Sequence, residues 1–421
     1  MFSQLVTIFS NFLHYTVLNP YFLLALRIIL RFWYVWLPIL IIYLFISAWM
    51  SYIRLSFIQK QGSVLLEIKL PREINKSPLA MEIFFTALYQ TGAASYIETY
   101  INGKVRPWFS LELVSIGGVI HFYIWTQPKF RNLIESQLYA QYPNIEIHEA
   151  EDYTKNVVHH PNPPNGGGSF WATYYKLIDK DIYPIKTYVD YGMDKDPKEE
   201  YKIDPFAAVL EYLGSIREGQ QVWIQILIQA HKKESLKDGR LFSRPDWKDD
   251  ARKEIKKIRD DSTVKVDDRP SFPHPTKGQT DKIGAIERSL QKWPFETMMR
   301  GFYIWEDGKF DSGNITGLIG STRQYSSNDL NGFKLGWFTD FDYPWQDFRR
   351  IRRNAAERKM LKAYKLRSYF QPPFKNHHGK PFILTTEELA TIFHFPGEVV
   401  QTPTLPRIPS KRAVPPSNLP I

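Results

Sequence analysis

The sequence predicts an α+β fold: one N-terminal transmembrane helix, two units with the element order βαββαβ, and an extended proline-rich tail. Three observations predict it. A single uncharged apolar run, residues 32–50 (FWYVWLPILIIYLFISAWM), has no counterpart in the rest of the chain. Strand-like and helix-like periodicities alternate through residues 62–152 and again through residues 169–340. Prolines crowd the stretch from residue 401 onward.

The apolar run is long enough to cross a hydrocarbon core as a helix, and Trp33, Tyr34, Trp36 and Trp49 cluster near its two ends, where aromatic rings favour the interface. Pro38 is expected to kink this helix without preventing it. The anchor is assigned to residues 27–55. A cleaved signal peptide is the alternative, but the run starts deep in the chain and no small-residue cleavage site follows it. Before it, in residues 1–26, Leu5, Ile8, Phe9, Phe12 and Leu13 recur at helical spacing opposite Ser3, Gln4, Thr7, Ser10 and Asn11. This reads as an amphipathic helix in the membrane plane, with a second, poorer spanning segment as the alternative. Asn19 and Pro20 separate it from the anchor, and Arg27 and Arg31 sit where cationic side chains snorkel to headgroups. Arg54, Lys60, Lys69 and Arg72 on the C-terminal flank outnumber those two arginines, which puts the large domain in the cytoplasm of a single-pass cell-membrane protein.

Fifty-four Lys and Arg against 44 Asp and Glu give a formal charge of +10, which favours anionic partners: nucleic acid, acidic lipid or an acidic protein face. With 43% hydrophobic and 15% aromatic residues the chain is too apolar to be disordered, and the body after the anchor is expected to bury two cores. The absence of cysteine excludes disulfides and thiolate metal sites.

In residues 62–152, SVLLEIKL is a strand stopped by Pro71. Ser77 and Pro78 then start a helix with Ala80, Ile83, Phe84, Ala87 and Leu88 on one face. Two runs around Ser115, Ile116, Gly117 and Gly118 form a hairpin, Pro128 opens a helix carrying Phe130, Leu133, Ile134 and Leu138, and a short strand ends at His148. This order is the ferredoxin-like split βαβ arrangement. Residues 159–168 (HHPNPPNGGG) read as a linker whose His159 and His160 are ordinary loop histidines.

The second unit, residues 169–340, opens with two strand-like segments, residues 170–178 and 183–189. Asp204 then caps a helix with Phe206, Val209, Leu210, Leu213 and Ile216 on its buried side. Val222, Ile224, Ile226 and Ile228 alternate with Gln221, Gln225 and Gln229 as in a half-buried strand. A charged insertion, residues 232–279, contains a solvated helix. A helix, a strand near Phe295, a helix from about Ile315 and a strand near Phe333 complete a second ferredoxin-like unit.

The segments YPIKTYVDY (183–191), DPFAAVLEYLGSIREGQQVWIQILIQ (204–229), KPFILTTEELATIFHFP (380–396) and RIPSKRAVPPSNLP (407–420) resemble the region upstream of the motor in HerA/FtsK-type ATPases of type IV secretion and conjugation systems, closest to membrane-anchored bacterial members. The resemblance implies a membrane-side accessory role beside a hexameric ATPase, with residues 371–421 as a partner-docking segment and tail. Within that segment Glu387, Glu388, His394, Phe395, Lys411 and Arg412 are the candidate docking residues; His394, between two phenylalanines, also suits packing at a domain junction. In that family the segment leads into a Walker A loop. No GxxxxGK[ST] string occurs in this sequence, and GLIGSTR (317–323) lacks the lysine, so no ATP hydrolysis, no enzyme activity and no cofactor are expected; an enzyme whose site no motif marks is the alternative.

The acidic string Asp307, Asp311 and Asn314 lacks the ligand spacing of a calcium loop and reads as a strand-to-helix turn. Residues 343–370 form a basic helix with Arg349, Arg350, Arg352, Arg353, Arg358, Lys359, Lys362, Lys365 and Arg367, interleaved with Tyr364, Tyr369 and Phe370. Cations and aromatics together suit a phosphate backbone and exposed bases, making DNA an alternative partner to lipid, to the ATPase or to a second copy of the chain.

Overall fold

The computed structural model describes residues 20–71, 74, 76–92, 94–159, 170–194, 203–233, 246–266, 269–273, 275–341, 343, 345, 347–397 and 405–408. It is a mixed α+β structure with one N-terminal apolar helix and a large, almost wholly antiparallel sheet. Helix α1 (Pro20–Arg31) opens on the proline at N1 that favours a helix start, and the expected amphipathic face of residues 5–13 lies outside the described residues. A single turn residue, Phe32, separates it from α2 (Trp33–Gln61), which runs through Pro38 without interruption and extends past the expected boundary at residue 55.

Two sets of four strands build the sheet. In the first, β1 (Val64–Pro71) leads through α3 (Leu79–Ala87) and the short α4 (Tyr96–Tyr100) to the hairpin β2 (Trp108–Ile116) and β3 (Val119–Thr126). Helix α5 (Arg131–Gln141) and β4 (Glu146–Glu149) follow. Their order is β4-β1-β3-β2, every pair antiparallel. In the second set, β5 (Phe170–Leu177), α6 (Ala207–Gly214) and β6 (Gln220–Ala230) precede the insertion. The insertion holds α7 (Trp247–Asp261), the hairpin β7 (Thr263–Val266) and β8 (Arg269–Pro273), and α8 (Lys277–Leu290). Then come β9 (Pro294–Trp305), α9 (Ser312–Gly320) and β10 (Phe333–Phe338). The order here is β10-β5-β9-β6, again all antiparallel. The two sets share one strand order and meet where β2 pairs with β6 along its whole length, from Trp108↔Gln229 to Ile116↔Gln221.

The core divides by sheet face and not by unit. Phe109, Leu111 and Leu113 of β2 share one cluster with Val222, Ile224, Ile226 and Ile228 of β6 and Phe295, Met299 and Tyr303 of β9, under the helices of both halves. The expectation of two separate cores is therefore corrected: α6, from the second set, packs on β2 and β3 of the first, and Phe206 meets the ring of Phe122. The residues after β10 also bind the halves together. Helix α10 (Ile351–Lys365) covers the opposite sheet face with Met360, Leu361 and Tyr364, beside Trp223 and Phe302. Strand β11 (Phe382–Thr385) extends the sheet beside the first residues of β9, α11 (Thr386–Ile392) packs on α3, and β12 (Arg407–Ile408) pairs parallel with the end of β1.

Because α10 roofs the second face, β6 is buried on both sides, and Gln225 and Gln229 are buried rather than facing solvent as their alternation suggested. Their polar groups are satisfied internally, as burial requires. Glu112, Gln225 and Arg300 are register partners on β2, β6 and β9 and form one polar rung. Gln225 Nε2 donates to Glu112 at 2.6 Å, Arg300 Nε donates to Gln225 Oε1 at 2.6 Å, and Arg300 also reaches the Ala363 carbonyl of α10 at 2.9 Å. Arg367 closes the rung with two donations to Glu112, both 3.0 Å, and a further pair to Asp152. Burial pushes the Glu112 carboxyl up, but the Arg367 guanidinium and the Ser110 and Tyr153 hydroxyls outweigh it and hold it below the usual range.

The second strand-like segment, residues 183–189, is not a strand. It forms turns with one isolated bridge, Ile185↔Asn331, because the Ile185 N–H is taken by a carboxylate of α11 at 2.9 Å. The insertion helix α7 is charged outside, as expected, and buries Trp247, Ala251 and Ile255 against Ile283 and Ile286 of α8.

Removing Arg367 strands a buried carboxylate, so Arg367→Ala is expected to lower the unfolding free energy by about 3–5 kcal/mol. Glu112→Gln combined with Arg367→Met should lose less than Arg367→Ala alone. Denaturant unfolding in detergent measures both; equal stability of wild type and Arg367→Ala would contradict the keystone role of the rung.

Candidate functional site

The apolar helix and the sheet meet at a defined junction. Residues 33–49 of α2 are mostly exposed, whereas Met50 and Ile53 are buried and Phe57 and Ile58 pack against the second face of the sheet. Among the described residues α2 is the one helix long and apolar enough to cross a membrane. The Trp49 indole donates to the Tyr100 carbonyl at 2.9 Å, and Gly103, at φ +67°, lies so close that a Cβ would collide with the Ile53 carbonyl. That contact and the positive φ both require glycine. The same segment carries Tyr96, Ile97 and Ile101 exposed beside the helix exit, at 53%, 65% and 62%.

Next to this junction a cleft of about 280 Å³ opens where β6 ends and β9 begins. Arg54 enters from α2, Arg106 from the start of β2, Lys232 and Lys233 from the end of β6, and Lys375 and Lys380 from the loop before β11. Asp181, Asp250 and Glu296 supply the carboxylates. Arg106 lies 3.5 Å from Glu296 and donates to the Ala230 carbonyl, and Lys104 is held by Glu98 at 2.8 Å. His231 faces Glu296 and Asp246 at 3.3 and 3.2 Å; burial pulls its pKa down, but the two carboxylates outweigh it and raise it.

The basic stretch divides in two. Arg349, Arg352, Arg358, Lys359 and Lys362 are exposed, and Arg350 is half-buried. Arg353 is spent on Glu357 at 2.8 Å and Asp340 at 3.0 Å, and Lys365 donates to the Val157 carbonyl at 2.7 Å. Arg367 is 1% exposed and belongs to the polar rung, so it is corrected from a surface contact to an internal one. The aromatics missed by the sequence reading lie just before the helix: Tyr343, Trp345 and Phe348 are exposed at 51%, 77% and 73%, with Tyr343 and Trp345 stacked at 4.7 Å. Ring-rich spacing ahead of the arginines was the available signal.

The candidate docking residues of α11 are internal as well. Glu387 accepts from Thr187 at 2.7 Å and pairs with Arg288 at 3.1 Å. Glu388 takes part in a capping box with Thr385 and accepts from the Ile185 amide. His394 Nδ1 sits 2.8 Å from the Ala390 carbonyl and its Nε2 3.2 Å from Asp204, and Phe395 fills the core. These four are thus corrected from partner contacts to contacts that dock the segment on its own body; Lys411 and Arg412 lie outside the described residues. His159 is not a free loop histidine either, since its Nε2 lies 3.0 Å from Glu357. His378 stacks on Trp337 at 3.6 Å, and burial holds the imidazoles of His377 and His378 down at about 4.

Fold and junction together define a large antiparallel α+β body packed against the end of one apolar helix. The chain belongs to the family described as a domain of unknown function, DUF8128, whose model matches residues 57–407, from the last turns of α2 to the first residue of β12. No curated protein matches the chain.

Burial pushes the Glu388 carboxyl up to about 7 from an ordinary 4.5, against its hydrogen bonds from Thr385 and Ile185. Between those values the folded state keeps a proton that the unfolded chain has released. The contribution of Glu388 to stability is therefore fully present below about pH 4.5 and falls as pH rises through about 7. Glu388→Gln is expected to lose less stability than wild type over that rise, measured by denaturant midpoints at each pH. Parallel curves for the two proteins would contradict the assignment.

Proposed function

We propose that this chain is a membrane-anchored accessory component of a type IV secretion or conjugation-like system, holding a HerA/FtsK-type ATPase at the cytoplasmic face of the cell membrane. The observation that carries the reading is the packed junction of α2 with the body, where Met50 and Ile53 are buried and Gly103 abuts the helix backbone. A body fixed in this way transmits position from the membrane to whatever docks on it. At about 1.5 Å per residue, the exposed stretch of α2 from Trp33 to Trp49 approaches the thickness of a hydrocarbon core. Tyr96, Ile97 and Ile101 favour the interface beside it.

In the same reading each half is a ferredoxin-like unit. The shared order β4-β1-β3-β2 and β10-β5-β9-β6 supports it, since a split βαβ places its strands in that sequence. The docking face is the exposed aromatic group Tyr343, Trp345 and Phe348 with the outer cations of α10, which combines apolar area with charge as interfaces do. The role is non-catalytic, with the motor supplied by the ATPase.

The same combination of rings and cations also favours a second reading, a module that guides DNA toward a translocation channel. The two separate cleanly. If the face docks the ATPase, Trp345→Ala with Phe348→Ala should abolish co-purification of a HerA/FtsK-type ATPase encoded alongside. If it tracks DNA, replacing Arg349, Arg352, Arg358 and Lys359 with Ala should weaken DNA binding and lower the salt slope by about 0.7–0.9 per lost phosphate contact. Unchanged co-purification together with salt-sensitive DNA binding would overturn the docking role in favour of the DNA role.

Anchoring has its own test. The chain is expected to stay in the membrane pellet through an alkaline carbonate wash and to leave it only with detergent; recovery in the wash would exclude a spanning helix.

A further inference from the structure

Beside the exit of α2 the body turns an apolar surface outward, and its place along the helix decides what covers it. In α4 and the residue after it, Ile97 and Ile101 are four apart and share one face. Tyr96 and Tyr100 stack along the neighbouring row, with ring centroids 6.5 Å apart. Tyr96, Ile97 and Ile101 are each more than half exposed, whereas Thr99 is buried. This reverses the usual pattern, in which a surface helix turns its apolar face to the core. The one acidic side chain of the turn, Glu98, is taken up by its own segment, accepting from the Ser95 amide and from Lys104, both at 2.8 Å. Two contacts hold the turn against α2: the Trp49 indole on the Tyr100 carbonyl, and Gly103 on the Ile53 carbonyl. Trp49 also closes the exposed stretch of α2, which runs from Trp33 for about 24 Å at 1.5 Å per residue, and beyond it Met50 and Ile53 are buried. The turn therefore sits at the level where hydrocarbon gives way to headgroups. Tyr52, 67% exposed and about 4.5 Å farther along the axis, falls within the headgroup layer.

We propose that α4 and Ile101 form a second membrane contact, with Tyr96, Ile97 and Ile101 inserted at the boundary between acyl chains and headgroups; the inference rests on α2 spanning the membrane. A five-residue helix is too short to be stable by itself or to hold a bilayer alone. The fold removes both obstacles. The capping box of Ser95 and Glu98 and the contacts with α2 preform the turn, and α2 keeps it at the bilayer surface, so that insertion becomes an intramolecular step. The exposed residues of the segment, Ser95, Tyr96, Ile97, Ile101 and Asn102, carry no charge, which suits lipid at that depth, and tyrosine rings favour the same level. An exposed apolar face continuous with a spanning helix is covered when the body meets the membrane, without a further partner. A single span leaves the body free to turn about the helix axis. A second contact displaced from that axis removes this freedom and sets which side of the body faces along the membrane.

The sequence contains no cysteine, so one introduced cysteine places a fluorophore at a single position. The full chain is reconstituted in vesicles of phosphatidylcholine and phosphatidylglycerol that carry a nitroxide either near the headgroup or near the end of the acyl chain. Labels go on Ile97→Cys, on Ile101→Cys, on Ile41→Cys within the span, and on Val119→Cys at the other end of β3 from the α2 junction. The probes at Ile97→Cys and Ile101→Cys are expected to be quenched more by the shallow nitroxide than by the deep one, the probe at Ile41→Cys more by the deep one, and the probe at Val119→Cys by neither. Tyr96→Asp with Ile97→Asp should abolish quenching at Ile101→Cys while leaving quenching at Ile41→Cys and the denaturant midpoint unchanged. Quenching at Ile41→Cys with none at Ile97→Cys and Ile101→Cys would overturn the second contact and leave the anchor standing. If those two unquenched probes also emitted as from an apolar environment, a protein and not lipid would cover the face. Quenching at Ile101→Cys that survives the double aspartate variant would overturn the assigned residues. No quenching at Ile41→Cys would overturn the anchor and the contact with it.

Discussion

The pairing of β2 with β6 is the constraint on which the rest of the molecule depends. Each four-stranded set alone would present an open edge at that strand, with a row of unpaired amides and carbonyls. Joined in full register, the two edges disappear into one sheet, and the helices of both sets then cover a single continuous face. The other face, with Trp223, Leu227 and Phe302, is covered by an additional helix, α10, so the rung of Glu112, Gln225 and Arg300 beneath it is satisfied from within. A buried charged group left without a partner is strongly destabilising, so the rung ties α10 and Arg367 to one register of the sheet.

The elements of each half were readable because their signals are local. Pro78 at a helix start, the turn glycines between β2 and β3, and the isoleucines alternating along β6 all act within a few residues of one another. What was not readable is set by partners far away in the chain. Gln225 and Gln229 look like solvent-facing residues until Glu112 and the Arg106 carbonyl take up their amides, and Arg367 looks like one more surface cation until Glu112, 255 residues earlier, takes it up. Glu387 and His394 fail for the same reason, since Thr187 and Asp204 are their partners and no short-range pattern links them; Glu388 did carry a local signal, the capping box with Thr385, but not its bond from the distant Ile185 amide. The outer half of the basic stretch was readable, since Arg349, Arg352, Arg358, Lys359 and Lys362 keep their side chains in water. The cleft at the helix exit was not, because its cations come from separate segments that only the sheet brings together.

A continuous sheet also explains how one apolar helix can position a body of this size. The last turns of α2 pack on the second face and lead into β1 after Gly62 and Ser63, so the helix is coupled to a strand that pairs with three others. Strand β11 pairs with β9 of one half, and β12 pairs with β1 of the other. A load applied along α2 thus reaches the sheet through packed elements.

Hydrogen exchange of individual backbone amides tests the central claim, one rigid sheet joined at β2 and β6, most directly. Amides of residues Leu111–Leu113 and Ile224–Ile226 are expected to exchange only through global unfolding, with protection well above that of the outer strand β4. Exchange of those same amides through a local opening, with protection no greater than that of β4, would show two bodies that merely touch and would contradict the account.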